Sequence, residues 1–204
     1  MEKTQKEKLI DSLKKKGFPS LIINAFEKVT REEFLPDNVA AYAYDDIALP
    51  IEDGSTISQP STIAFMLSLL DPKQNQKVLE IGSGSGYALA LISEIIKNGK
   101  IYGLEINQRL AVKSKKTLSS NSLVEILNRS GVNGLSDFSP FDRILVSASC
   151  QDMRIPSLLL DQLSDNGIMV AAVKQSIIQF KKESGKIKKN EFPGFVFVPF
   201  IYKE

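Results

Sequence analysis

The sequence predicts one α/β domain in which helices cover both faces of a mostly parallel sheet. From Lys77 onward, short apolar runs alternate with amphipathic helical patterns, which is typical of parallel strands joined by crossover helices. The chain has 204 residues, 43% of them hydrophobic and 25% charged, which suits a single domain with a sizeable core. We divide it into N-terminal helices with a loop segment (1–59), an α/β core (60–175) and a C-terminal β-hairpin (176–204).

The segment before the core is predicted to contain two helices, a long loop and a third helix. Residues 3–16 and 20–29 both place apolar side chains on one face at helical spacing. Residues 37–59 follow no sustained period and contain Asp, Gly and Pro, and a loop of this length in a compact domain is usually functional. Proline at the first turn then favours a helix over 60–70.

The core is predicted to contain five parallel strands with three helices among them. The expected strands are 77–81, 100–104, 124–127, 143–147 and 168–173, and the expected helices are 87–97, 107–119 and 156–163. Two further strand-like runs, Ser176–Lys181 and Phe195–Ile201, are joined by a turn rich in Lys and Gly, with no helical pattern between them. They predict an antiparallel hairpin at one edge of the sheet.

The transition from the first core strand to its helix carries the main chemical signal. The run Lys77–Ile81 leads directly into Gly82-Ser83-Gly84-Ser85-Gly86. Glycine permits a sharp turn and a close approach of a ligand to the backbone, and the helix that follows presents free N–H groups. Glu105 ends the next strand, where a carboxylate can accept both hydroxyls of a ribose. The pattern indicates a site for a nucleoside-containing cofactor.

Two details distinguish this turn from one that binds a dinucleotide. The spacing is Gly-x-Gly-x-Gly rather than Gly-x-Gly-x-x-Gly, and Glu80 lies inside the strand just before the turn. A carboxylate there repels a pyrophosphate and attracts a sulfonium or an amino group. S-adenosylmethionine has both cationic groups and no phosphate. A tight turn without a ligand, beside a solvated Glu105, is the alternative that the residues alone leave open.

The composition excludes several classes of function. There is no histidine, so catalysis by Ser-His-Asp or Cys-His is excluded and the commonest metal ligand is missing. We expect no metal, and little change of rate between pH 6 and 8. One cysteine, no apolar run of membrane-spanning length and no secretory leader favour a cytoplasmic protein that does not bind membranes. A net charge of +2 gives no support for a nucleic-acid partner.

Several segments together resemble the protein-L-isoaspartate O-methyltransferase family, from about Arg31 to Tyr202. They are Arg31-Glu32-Glu33-Phe34-Leu35-Pro36, Ala41 to Ile51, Gly54-Ser55-Thr56-Ile57-Ser58-Gln59-Pro60, Val78 to Tyr87, Pro140 to Val146, Asp161-Gln162-Leu163 with Asn166-Gly167, and Phe197-Val198-Pro199. Many methyltransferases share the glycine turn, whereas Thr-Ile-Ser-Gln-Pro ahead of it is specific to this family.

The resemblance implies a Rossmann-like class I methyltransferase fold with S-adenosylmethionine as the methyl donor. It implies methylation of the free carboxylate of L-isoaspartyl residues in damaged proteins, a protein-repair reaction, and we expect a monomer. The acceptor carboxylate is already ionised at neutral pH and needs no general base, so the absence of histidine agrees with this chemistry.

The resemblance also assigns roles to individual residues. Ser58 is the active-site serine, with an N-cap of the helix that starts at Pro60 as its alternative role. Thr56 and Ile57 flank it near the substrate and the cofactor. The remaining cofactor contacts are Glu80, Gly82, Ser83, Gly84 and Gly86 at the methionine end, Glu105 and Ile106 at the ribose and adenine, and Ser130 and Gly131 in the loop beside the adenine.

Four positions depart from the family pattern. Ser130 stands where an aspartate usually faces the adenine amino group, and Ser55, Ser61 and Lys174 replace the usual glutamine, aromatic residue or histidine, and glycine. These departures leave two alternatives open. One is a methyltransferase that acts on another substrate, and the other is a non-catalytic member of the family that works as a binding module.

Overall fold

The computed structural model describes residues 2–201 and confirms the α/β fold with a mostly parallel sheet. The helices are α1 (Gln5–Lys15), α2 (Ser20–Lys28), α3 (Pro60–Leu70), α4 (Tyr87–Ile96), α5 (Gln108–Thr117) and α6 (Arg154–Leu160). The strands are β1 (Leu49–Pro50), β2 (Thr56–Ile57), β3 (Lys77–Ile81), β4 (Lys100–Glu105), β5 (Val124–Asn128), β6 (Phe141–Cys150), β7 (Leu163–Val173), β8 (Ser176–Glu183) and β9 (Lys186–Pro193). Short 3-10 helices span Arg31–Phe34, Ala40–Tyr42 and Ser136–Phe138.

Seven strands form the main sheet, in the order β5-β4-β3-β6-β7-β8-β9. The pairs from β5 to β7 are parallel, and β8 and β9 add to that edge in antiparallel fashion. From β3 the chain first builds outward through β4 and β5, and it then returns to the other side of β3 with β6. The carboxyl ends of β3, β4 and β6 therefore meet where the strand order reverses, which is where open α/β sheets bind ligands.

The core lies on both faces of this sheet, as alternating side chains along the strands require. Val78 and Leu145 belong to the apolar cluster that includes side chains of α1 to α5. Their strand neighbours Leu79 and Ile144 point the other way, into the cluster that contains α6. Strands buried on both faces read as continuous apolar runs, which is why the sequence identified them.

The prediction for the C-terminal hairpin is wrong in its second strand. The partner of β8 is β9, and the turn between them is Ser184-Gly185. Of the lysines expected at the turn, Lys181 and Lys182 lie in β8, and the other three lie along β9, which is exposed at almost every position: Lys186, Lys188 and Lys189. The apolar run 195–201 crosses the carboxyl end of the sheet, and a parallel bridge joins Pro199 to Ser149 of β6. Residues 202–204 of the predicted hairpin, including Tyr202, lie outside the described residues.

Other predicted elements are present with shifted ends. The first helix starts at Gln5 because Thr4 caps it: the Glu7 N–H donates to the Thr4 hydroxyl, and Glu7 accepts the Thr4 N–H. The helix expected over 156–163 is α6, which ends at Leu160, and β7 begins five residues earlier than predicted. Within residues 2–201, no helix has the length and apolar character needed to cross a membrane.

Candidate active site

A cavity of about 120 Å³ lies at the point where the strand order reverses. Its floor is formed by the carboxyl ends of β3, β4 and β6. The segment Ser55–Ser58 covers one side and the segment Phe197–Ile201 covers another. Every site residue expected from the sequence lines this cavity except Gly86 and Ser130.

The glycine-rich turn needs glycine for its backbone shape. Gly82, Gly84 and Gly86 have φ angles of 74°, 52° and 85°, a region that side chains disfavour. The N–H groups of Gly82 and Ser83 donate to the Leu104 carbonyl at 2.8 and 3.1 Å, which ties the turn to β4. Gly86 is the N-cap residue of α4, and no side chain caps that helix. The turn is thus rigid, and the first amides of α4 stay available.

The residues outside the cavity wall have packing and turn roles in the structure. A Cβ at Gly86 would lie 2.9 Å from Leu118 Cδ1, so glycine allows the turn to pack against the end of α5. The Ser130 hydroxyl accepts a backbone N–H two residues further along the chain at 3.4 Å. Gly131 does line the cavity, and a Cβ there would lie 2.3 Å from Ile81 Cγ2. A contact between Ser130 and adenine stays a prediction.

Glu105 is held in place by backbone donors at the tip of β4. Gly84 N–H donates to Oε2 at 2.7 Å and Asn107 N–H donates to Oε1 at 2.8 Å. The carboxylate is only 6% exposed. Each carboxylate oxygen can accept more than one hydrogen bond, so capacity remains for two ligand hydroxyls. The orientation expected for a ribose acceptor is therefore fixed without any ligand.

Glu80 is the second carboxyl group of the cavity, and it is 1% exposed. Its Oε1 accepts the Ser147 hydroxyl at 2.6 Å, whereas Oε2 has no hydrogen-bond partner among the described residues. Burial raises the pKa of Glu80 to about 8, with a further increase from the Glu105 charge and a decrease from Ser147. The Ser83 hydroxyl is buried beside it and also lacks a partner within residues 2–201.

The charges on the wall select the kind of ligand that fits. The described wall carries the carboxyl groups of Glu80 and Glu105 and no lysine or arginine. A phosphate would meet the negative charge of Glu105 there, while a cation would favour the ionised form of Glu80 and satisfy its free oxygen. The unpartnered Glu80 and Ser83 oxygens thus fit a ligand with a cationic group and hydrogen-bond donors, as S-adenosylmethionine has.

Ser58 lies across the cavity, in the loop between β2 and α3. The N-cap residue of α3 is Gln59 and no side chain bonds at that cap, so the interpretation of Ser58 as an N-cap is wrong. Asp46 supplies the missing acceptor instead, because its Oδ1 accepts the Ser61 N–H at 2.8 Å. The Ser58 carbonyl accepts a hydrogen bond from Arg31 Nη2 at 2.9 Å. The backbone of Ser58 is thus anchored while its hydroxyl is not used by the helix.

Three parts of the site were not predicted as such. Ser147 follows the apolar run of β6, and a polar residue at a strand's carboxyl end was the available signal. Arg31 belongs to a segment of the family resemblance, and that resemblance gives it no role. The wall segment Phe197–Ile201 belongs to the run that the sequence predicts as a hairpin strand. In the structure it joins β6 instead: Ser149 N–H donates to the Val198 carbonyl and Phe200 N–H donates to the Ser149 carbonyl, both at 2.8 Å.

The other departures from the family pattern differ in their distance from the cavity. Ser55 lines it, and the Ser61 hydroxyl accepts the Gln59 side-chain amide at 2.9 Å in the first turn of α3. Lys174 lies in the turn between β7 and β8, outside the wall, with φ of 52°.

Within residues 2–201, no group of three or more Cys, Asp or Glu side chains is arranged to hold a metal ion.

Comparison with known proteins supports the same kind of site as the geometry, a methyltransferase site. The model of the family "Protein-L-isoaspartate(D-aspartate) O-methyltransferase (PCMT)" matches residues 4–204. The chain is 40% identical to a protein-L-isoaspartate O-methyltransferase of Thermosipho melanesiensis, over 95% of this chain and 100% of that protein. It is 37% identical to the enzyme of the same name from Methanopyrus kandleri, over 98% of this chain and 92% of that one.

Solved structures agree on the fold. A protein-L-isoaspartate O-methyltransferase structure matches with a TM-score of 0.87 at 29% identity, covering 95% of this chain and 65% of that chain. A Plasmodium falciparum protein described as a beta-aspartate methyltransferase, in complex with S-adenosyl-L-homocysteine, matches with a TM-score of 0.83 at 24% identity, over 98% and 99% of the two chains. With a family model matched over almost the whole chain, and relatives of this identity, the chain belongs to the protein-L-isoaspartate(D-aspartate) O-methyltransferase family.

Proposed function

We propose that this chain transfers a methyl group from S-adenosylmethionine to the free carboxylate of L-isoaspartyl residues in damaged proteins. The observation that carries the proposal is the pair of carboxyl groups in one cavity: Glu105, held by two backbone N–H groups, and Glu80, buried with one oxygen unpartnered. Family membership supports the choice of acceptor.

The wall residues expected from the sequence have distinct roles in binding the donor. Glu105 accepts the ribose hydroxyls, and Ile106 and Gly131 border the adenine. Glu80 and Ser83 face the methionine end, and the backbone of the glycine turn approaches it closely. When bound, S-adenosylmethionine supplies a methyl group that leaves its sulfur, with the bonding electrons staying on sulfur, as the acceptor oxygen forms the new C–O bond.

The protein has little acid–base chemistry to perform in this reaction. The acceptor carboxylate is ionised at neutral pH, so no group has to remove a proton from it. Ser58 donates a hydrogen bond that orients one acceptor oxygen, and Thr56 and Ile57 position it against the donor. Alignment and the exclusion of water by the covering segments then supply the rate enhancement.

A methyl-transfer assay tests the proposal with a matched pair of peptides. The substrate is an isoaspartyl peptide, and its control is the same sequence with a normal aspartyl residue. We expect methyl ester to form on the first peptide only. No transfer to the isoaspartyl peptide, with the cofactor shown by calorimetry to bind, would point to the alternatives: another acceptor, or a binding module.

We propose further that the protein works as a monomer in the cytoplasm. Its single cysteine, Cys150, is buried, and burial raises the pKa of this thiol to about 12, which leaves it protonated and unreactive. Such a cysteine neither requires nor exploits an oxidising compartment. Light scattering of the purified protein measures the mass in solution, and a dimer mass would contradict the proposed monomer.

A further inference from the structure

A buried charge lies directly behind Ser58. Arg31 begins the short helix Arg31–Phe34, and its side chain is fully shielded from solvent. Its Nη2 atom donates to the Ser58 carbonyl at 2.9 Å. Nε and Nη1 are also buried and make no hydrogen bond of regular geometry with residues 2–201, although the Tyr87 hydroxyl lies close enough to stabilise the guanidinium. Burial of a guanidinium that makes only one regular hydrogen bond is costly, so a structure that retains one invites a functional explanation.

The charge of Arg31 is not neutralised by an ion pair. Within residues 2–201, none of the ion pairs includes it. The Tyr87 ring, with its centroid 4.9 Å from Arg31 Cζ, gives a weaker cation–π contact. Asp46 attracts the guanidinium from further away but is itself paired with Lys16 at 2.7 Å. Burial lowers the pKa of Arg31, yet an arginine stays protonated at neutral pH.

A second buried arginine shows what a purely structural role looks like in this protein. Arg143, 6% exposed, lies near the start of β6, at the end of the sheet opposite to the cavity. Its Nε donates to the Asp71 carbonyl at 3.0 Å and its Nη1 donates to the Asp142 carbonyl at 2.8 Å. Arg143 thus uses two nitrogens to join backbone segments, whereas Arg31 makes a single regular hydrogen bond, to the Ser58 carbonyl.

We propose that Arg31 is a positioning residue for the methyl acceptor: its positive charge favours the acceptor carboxylate at Ser58, and its hydrogen bond fixes the Ser58 backbone. The inference rests on the proposed function, because that acceptor carries the complementary negative charge. Charges interact strongly through a dry interior, so an anion at Ser58 offsets a cost that the free protein bears. Arg31 itself is buried and acts through Ser58 rather than by direct contact.

The test compares two peptides and three variants. One peptide carries the isoaspartyl residue with its free α-carboxylate, and the other carries the same residue with that carboxylate as an amide. Their dissociation constants are measured with S-adenosylhomocysteine present, which prevents turnover. Arg31→Lys keeps the charge, Arg31→Gln keeps a neutral donor, and Arg143→Gln is the control for loss of a buried arginine.

We expect the wild type to prefer the carboxylate peptide by about tenfold or more, as for hydrogen bonds and charges that recognise an ionised group. Arg31→Gln should lose about tenfold of this preference while its affinity for the amide peptide stays the same. Arg31→Lys should keep the preference within about threefold, and Arg143→Gln should keep it fully. If Arg31 had only a packing role, Arg31→Gln would weaken the binding of both peptides by the same factor.

Each other outcome bears on one of the two claims. Wild-type preference in Arg31→Gln, or an equal loss in the Lys and Gln variants, would overturn the inference and leave the proposed function standing. A wild type that neither methylates nor prefers the isoaspartyl peptide overturns the proposed function, and this inference with it. If Arg31→Gln does not fold, Asp46→Asn provides the test, because it keeps an oxygen for the Ser61 N–H and removes a negative charge near Arg31. The preference for the carboxylate peptide should then rise by about twofold. No rise would overturn the inference.

Discussion

The protonation of Glu80 should be coupled to binding of the cofactor, because the buried carboxyl group changes its charge when a cation arrives. Burial raises the pKa of Glu80 to about 8, so at pH 7 the carboxyl group is protonated in about nine of ten ligand-free molecules. A positive ligand group beside Oε2 favours the ionised form. Binding at pH 7 should therefore release about 0.9 proton from Glu80.

The same coupling sets how affinity depends on pH. If the ionised form binds, the penalty for removing the proton is about 100-fold at pH 6 and about twofold at pH 8 for a pKa near 8. The dissociation constant should thus weaken by about 50-fold from pH 8 to pH 6. The absence of histidine predicts a reaction rate that changes little between pH 6 and 8. When the cofactor is below saturation, the rate should instead fall toward pH 6, because cofactor binding weakens. At saturation the carboxyl group is already ionised, and turnover should stay nearly constant.

Calorimetry in two buffers of different ionisation enthalpy measures the protons released. Glu80→Gln is the matched control, since an amide has nearly the same shape and does not titrate in this range. Any titration of the cofactor itself is the same in both proteins, so the difference between them isolates Glu80. Equal proton release in wild type and variant would refute the reasoning, as would a Glu80 pKa below 6 measured by NMR in the ligand-free protein.

Three substitutions probe the remaining features. Ser58→Ala should lower turnover of an isoaspartyl peptide by about tenfold or more, through loss of a hydrogen bond to a charged acceptor, and leave cofactor affinity nearly unchanged; wild-type turnover would remove Ser58 from the mechanism. Glu105→Ala should weaken cofactor binding by about 2 kcal/mol, seen by calorimetry, and unchanged affinity would contradict its assignment to the ribose. Lys174→Gly should remove the strain of a left-handed backbone at a non-glycine residue, and part of this gain is offset by the added entropy of the unfolded chain. We expect the free energy of unfolding to rise by about 0.5 kcal/mol, or about 2 °C in the thermal midpoint, and a lower midpoint would contradict this account of the turn.

The interior of the sheet could be predicted from sequence because burial on both faces leaves a strong pattern. β3 has the predicted bounds, since five mostly apolar residues are followed directly by the glycine turn. The carboxyl groups of the site were predictable for the same reason: Glu80 and Glu105 lie at fixed positions relative to strands that are easily recognised.

The edge of the sheet could not be predicted in this way. β9 is exposed along nearly its whole length and is mostly polar, with three lysines, an asparagine and a glutamate among its eight residues, so no apolar period marks it. The run after it contains the side chains that a strand should have, but it packs as a non-sheet segment, with Phe195 stacked on Phe65 at 5.5 Å between ring centroids. Arg31 was missed because its importance lies in a contact with Ser58, 27 positions away in the chain.

The segment that crosses the end of the sheet is added to the site after the last strand of the sheet. All seven strands are in place by Pro193, and the residues that follow are joined to β6 through Ser149. During synthesis from the N-terminus, a chain that has emerged as far as β9 can already close its sheet, yet it still lacks Phe197–Ile201 along the cavity. A chain that has emerged only as far as β9 therefore has its sheet but lacks one wall of the cavity.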